Sequence, residues 1–113
     1  MTHALPLFDD RALSANTGGD PALATEIVQI FCEHAPLQFA SYRGAATPVA
    51  RRIAAHSLKG SANSVGASRL ALAAAEAERE AIDGQLPSAE RTEKLALLLV
   101  DTLAALKRAN PSR

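Results

Sequence analysis

The chain has 113 residues, with 12 Lys and Arg against 12 Asp and Glu, 48% apolar and 4% aromatic residues, no Trp and one Cys; 25 residues are Ala and 15 are Leu. A chain of this length folds around one core with a radius of gyration of roughly 13 Å, which excludes a nucleotide domain joined to a substrate domain. Charge neutrality argues against a nucleic-acid binder, whose basic residues would have to offset phosphate, and against a membrane-surface protein.

The opening MTHALPLFDD lacks a basic stretch before a long apolar run. No segment reaches the ~18 apolar residues a spanning helix needs, so the expectation is a soluble, unprocessed chain without direct membrane insertion. Cys32 has no partner for an internal disulfide and no Cys/His spacing around it that signals a metal site, which makes it a buried filler. Ala and Leu abound while β-branched and aromatic residues are scarce, so the expected class is all-α.

In chain order, Asp9 or Asp10 caps a brief helix to about Ala15, a lid on the bundle, and Asn16-Thr17-Gly18-Gly19 breaks it. Asp20-Pro21 then starts a long helix with a cap acceptor and a Pro at the first position, where a missing N–H costs nothing. Its apolar stripe is Leu23, Ile27, Ile30, Phe31, His34 and Leu37, running to about Arg43, which makes His34 a core histidine. Pro36 removes one helical donor, so this helix kinks or divides near Cys32–Pro36, and a kink is the favoured reading. Gly44 and Thr47-Pro48 end it and begin the next.

From Pro48 to Val65 two faces separate: Ala54, Ala55, Leu58, Ala62 and Val65 on one, and Val49, Arg52, His56, Lys59, Gly60 and Asn63 on the other. Gly66 fits a left-handed helix end and Ser68 a cap for the following helix, so the two helices form an antiparallel hairpin. That next helix, about residues 68–83, faces inward with Leu70, Ala73, Ala74, Ala77 and Ala81, while Arg69, Glu76, Arg79 and Glu80 read as a charged outer face with helical-pair spacing. Asp83-Gly84 stops it. Pro87-Ser88 opens a last helix with a Leu95, Leu98, Leu99, Leu103 and Leu106 stripe, ending near Arg108 before Asn110-Pro111. The predicted architecture is an up-down-up-down four-helix bundle with a short extra N-terminal helix, one domain over 1–113 with its core at about 8–108.

The chemistry concentrates in Ala55-His56-Ser57-Leu58-Lys59-Gly60-Ser61-Ala62-Asn63-Ser64-Val65-Gly66-Ala67. An imidazole on the polar face of an amphipathic helix is accessible, and neutral imidazole is a nucleophile near pH 7. Such a nitrogen can take up a phosphoryl group if a donor presents one, and Lys59, one turn on, is within reach of that group to offset its charge, the electrostatic part that phosphoryl transfer mainly requires. Gly60 costs about 0.5–1 kcal/mol relative to Ala inside a helix, which points to a need for room beside His56. With the hairpin turn at Gly66-Ala67, His56 stands opposite about residue 77, and the carboxylate of Glu78 is placed to accept from one ring N–H and leave the other nitrogen to react.

This run, with Leu70, Glu78 and the long helix from Asp20 through Pro36, resembles the histidine-containing phosphotransfer (HPt) domain over roughly residues 8–106. The resemblance implies that His56 accepts a phosphoryl group from a receiver-domain aspartate and passes it to another. It makes Lys59 the phosphate-stabilising residue, Glu78 the imidazole-orienting residue, Gly60 the clearance for the partner and Gly66 the turn glycine. Arg52 and Asn63 share the His56 face as candidate partner surface. The implied partners are receivers of response regulators or of a hybrid sensor kinase, and no nucleic acid. A monomer in the bacterial cytoplasm is expected, with no kinase or ATPase activity and no cofactor of its own, any Mg²⁺ belonging to the receiver. The position five before the histidine, usually apolar and inward in such domains, is Arg51 here, with Ile53 displaced outward. The Tyr42–Pro48 connection looks short, and Ala77 replaces the usual large apolar residue.

Other classes compare less well. A purely structural bundle leaves Gly60 beside His56 and Lys59 without a reason, and a metal-binding bundle needs inward Glu-x-x-His pairs that this chain lacks. A phosphoryl-accepting module of a larger histidine kinase stays open.

Overall fold

The computed structural model describes residues 7–85 and 88–109, all helix and loop. Five helices follow one another: α1 (Asp10–Asn16), α2 (Pro21–Gly44), α3 (Pro48–Ser64), α4 (Ser68–Ile82) and α5 (Ala89–Ala109). Helices α2 to α5 alternate in direction, each lying against its sequence neighbours, and α5 closes the ring against α2. The radius of gyration is 14.0 Å. His3, Pro87 and Asn110-Pro111 lie outside the described residues.

Local chemistry sets the helix starts. Asp9 caps α1, its carboxylate accepting from Arg11 N at 3.0 Å and Ala12 N at 3.4 Å. Asp20 caps α2 in the same way, and the hydroxyl of Thr47 accepts from Ala50 N at 3.1 Å to start α3. Pro follows both of these caps, its fixed φ already helical. Helix α4 departs from expectation: Ala67 is its cap residue, with no side-chain bond, and Ser68 is already helical. The connection after α2 needs only Ala45–Thr47, so a short link suffices where cap and Pro follow at once.

Helix α2 runs through Pro36 without dividing. Its missing hydrogen bond is offset by packing on either side, since Phe31, Ala35, Phe39 and Tyr42 are all buried. These residues with Val28 form the true core face. The expected stripe coincides with that face only in part: Phe31 is buried and Ile27 packs against the core, but Leu23, Ile30 and Leu37 are exposed, and so is His34, which is therefore not a core histidine. Both candidate faces of this helix carry apolar residues, and periodicity does not say which one meets α3 and α5.

Helices α3 and α4 bury the residues assigned to them, with Leu58, Ala62, Leu70 and Ala74 fully enclosed. Leu95, Leu99 and Leu106 of α5 are buried, Leu98 and Leu103 partly so, and Thr102 joins them, its hydroxyl donating to Leu98 O at 2.6 Å. Each fully enclosed Leu contributes about 1.5–3 kcal/mol. Cys32 is half-buried against this core.

Arg51 is 4% exposed, and its guanidinium donates to Gln85 O at 3.3 Å. An inward cation at the start of α3 thus ties down the loop after α4, where an apolar side chain would leave that carbonyl unbonded. Nearby, Arg91 of α5 grips α4 by donating to Glu80 at 2.9 and 3.1 Å and to Glu76 at 2.9 Å. Glu76 and Glu80 are therefore held across helices and are not a merely solvated face. Tyr42 is buried beside them, and burial, reinforced by Glu80, pushes its hydroxyl pKa up.

The opposite end is closed by Gly66. Its φ of 76° is left-handed, its carbonyl accepts from Asp9 N at 2.7 Å, and an added Cβ would collide with Asp9 O. Asn16 of α1 donates to Asn63 O at 3.2 Å and Ser64 O at 3.3 Å, satisfying carbonyls that the end of α3 leaves open. The lid is thus a cap for α3. Gly66→Ala is expected to lose more than about 1 kcal/mol, from the left-handed backbone alone, before the collision with Asp9 is counted. Urea unfolding of variant and parent measures it, and an unchanged midpoint would contradict the assignment.

Candidate functional site

His56 sits midway along α3 on its outward face, and its side chain is 65% exposed. Burial of Ala54, Ala55 and Leu58 fixes the rotation of the helix and so turns His56 outward. Helix α4, antiparallel across the Gly66 turn, carries Glu78 to the same level.

The Glu78 carboxylate is 13% exposed and is shared. One oxygen, Oε2, lies 2.9 Å from His56 Nδ1; the other, Oε1, accepts from Lys59 Nζ at 2.7 Å. The Lys59 hydrogen bond, ahead of the one from His56 and against partial burial, holds the Glu78 carboxyl below the usual carboxylate range. An ionised carboxylate only accepts, so Nδ1 carries the proton and donates. In the neutral ring the lone pair then resides on Nε2, for which the structure gives no hydrogen-bond partner among the described residues. An accessible neutral nitrogen nucleophile, a fixed tautomer and a cation one turn away make an arrangement able to receive a phosphoryl group.

Gly60 is exposed on the same face, and a Cβ built on it meets nothing within 4 Å. Nothing inside the molecule requires glycine there. Arg52 and Asn63 are also exposed on this face, beside His56 but outside the Glu78 cluster. The site as read from sequence is brought together with one addition: Lys59 is already paired with Glu78. The hairpin arithmetic placed Glu78 beside His56, but a long lysine side chain has no register of its own that would have disclosed the shared carboxylate.

Beyond the cluster, Lys59, Ala75, Glu78, Arg79, Ile82 and Asp83 line an open groove of about 370 Å³ between α3 and α4. A second groove of about 320 Å³, lined by Gln38, Ser41, Ala50, Ile53, Ala54 and Ser57, runs on the α2 side of α3. Ile53 is exposed there, as its outward displacement in the sequence implied. No group of three or more metal-ligating side chains occurs among the described residues, and no helix there is long and apolar enough to cross a membrane.

Glu78 titrates below its ordinary value in the folded chain, so its contribution to stability is present above the ordinary carboxylate range and is lost as pH falls through the lowered value. Acid unfolding of Glu78→Gln is therefore expected to show a shallower loss of stability between about pH 5 and pH 2 than the parent. Superimposable acid limbs would contradict the shared carboxylate.

Comparison with known proteins agrees with this geometry. The crystal structure of histidine-containing phosphotransfer protein B from Pseudomonas aeruginosa superposes with a TM-score of 0.86 at 24% identity, covering 97% of this chain and 99% of that one, a likeness of fold. No curated protein matches the sequence. The family model of the Hpt domain matches residues 26–109, a span that holds α3, α4, His56, Lys59 and Glu78. The chain belongs to the Hpt domain family, the phosphotransfer domains that act as relay intermediates with receiver domains as partners.

Proposed function

We propose that His56 is the phosphoryl-accepting residue of this relay domain. The observation that carries the proposal is the Nδ1 hydrogen bond to Glu78 on an exposed ring, which leaves Nε2 as the nucleophile. In the receiving step the Nε2 lone pair attacks the phosphorus of a receiver's aspartyl phosphate, the N–P bond forms, and the P–O bond breaks to leave the aspartate carboxylate. The onward step is the reverse, toward a second receiver aspartate.

Lys59 lies one turn from the nucleophile and offsets charge on the transferring oxygens once it swings from Glu78. Gly60 gives an approaching receiver room above the helix, which explains a residue the fold does not need. Arg52 and Asn63 border the same surface and contact the partner. In this role the domain has no kinase or ATPase activity and no cofactor of its own, with Mg²⁺ acting in the receiver. The receivers belong to response regulators or a hybrid sensor kinase, the domain acts as a monomer, and the setting is the bacterial cytoplasm.

On mixing with a phosphorylated receiver, the protein is expected to gain an acid-labile, alkali-stable label on His56. His56→Gln abolishes the label with the helical circular dichroism intact, and a variant that still takes label would sink the proposal. Lys59→Ala slows transfer by about tenfold or more, the scale of one lost charge-assisted contact of about 1.5–3 kcal/mol, as read by quenched-flow labelling. Gly60→Ala separates clearance from stability: it raises the unfolding midpoint through a gain of about 0.5–1 kcal/mol and yet slows transfer from a receiver. A transfer rate equal to the parent's would remove the role assigned to Gly60.

A further inference from the structure

The Glu78 carboxylate bears on more than ring orientation. When Nε2 of a neutral imidazole attacks phosphorus, the ring keeps its Nδ1 proton and becomes a phosphoimidazolium with one positive charge. When the phosphoryl group leaves, the electron pair of the N–P bond returns to Nε2. If Nδ1 still holds its proton, the leaving group is neutral imidazole; if it has been lost, the leaving group is an imidazolate, a far poorer one. A proton kept on Nδ1 throughout removes any need for a general acid or base in either direction.

The surroundings of the ring suit that role. Glu78 Oε2 stands 2.9 Å from Nδ1 and is the anion nearest the ring. The other ionisable groups near it are the cations Arg52 and Lys59 on α3 and, along the adjoining groove, Arg79 of α4 and Asp83 at the end of that helix, an anion that makes no hydrogen bond or ion pair with the ring. Helix α2 meets this side of α3 through Gln38 and Ser41, neither ionisable, and α1 reaches α3 through Asn16 and the Asp9 backbone. Those cations oppose a positive ring, so Glu78 is the group that opposes its deprotonation. Its own carboxyl is held ionised by Lys59 on the second oxygen in the resting site, and by the positive ring itself once Lys59 turns to the phosphoryl group.

We propose that Glu78 keeps the Nδ1 proton on His56 through the whole phosphorylated interval, so that the phosphoryl group always leaves from a protonated ring. Glu78 is here a positioning residue acting through His56, and the inference rests on His56 being the acceptor. It predicts a phosphohistidine that stays reactive at neutral and mildly alkaline pH and loses that reactivity when the charge of residue 78 is removed.

The test uses the full chain, phosphorylated by phosphoramidate, whose P–N bond breaks as Nε2 bonds to phosphorus and ammonia leaves. Loss of label to water is followed from about pH 6 to about pH 9 in the parent and in Glu78→Gln, which keeps an acceptor for Nδ1–H but not the charge. The variant's loss of label is expected to begin slowing at least about one pH unit lower, making its phosphohistidine about tenfold longer-lived on the alkaline side. Coincident profiles overturn the inference. Nitrogen-15 NMR of the phosphorylated parent supplies a check that needs no variant: Nδ1 remains protonated across the window, and its deprotonation near neutrality overturns the proposal equally. Failure of the reading beneath it looks different, with no label on the parent or undiminished label on His56→Gln.

Discussion

The antiparallel seam between α3 and α4 is the constraint on which the rest of the molecule depends. It closes at Gly66, whose left-handed backbone and bare Cα let Asp9 bond to the turn, and it is lined with small residues that bring the two helix axes together. Register follows from the turn, and from register follows the meeting of Glu78 with His56 and Lys59. A slip of one residue in α4 would rotate Glu78 by about 100° and remove both contacts.

Around this seam the fold divides its polar chemistry between two ends and one face. At one end Arg51, Tyr42, Arg91, Glu76 and Glu80 lock the α4–α5 connection to the bundle with interhelical bonds. At the other end, α1 supplies Asp9 and Asn16 to the end of α3. The face between them is left to His56. Rigid ends matter to a relay because the receiver must find the imidazole in one place, and a site on packed helices holds its geometry better than one on a loop.

Legibility followed the type of physics involved. Inward faces of α3 and α4 could be read because their apolar residues are confined to one side; α2 could not, since Leu23, Ile30 and Leu37 offer a second apolar stripe that ends up exposed. Caps at Asp9, Asp20 and Thr47 were readable because capping is local, and Ser68 misled because the Gly66 turn had already placed Ala67 in the cap position. Arg51 looked anomalous as a buried residue until its partner, Gln85 O, was seen; that partner is 34 residues away and is a backbone atom that no sequence pattern names.

Interactions within a few residues settle the class, the helix order, the hairpin at Gly66 and the outward face bearing His56, Lys59 and Gly60, and all of these are legible along the chain. The tertiary structure alone decided which stripe of α2 is buried, which partners hold Arg51 and Arg91, and that a single carboxylate serves both His56 and Lys59. Those outcomes depend on distances between separate helices, set by how whole faces pack, and local pattern carries no measure of them.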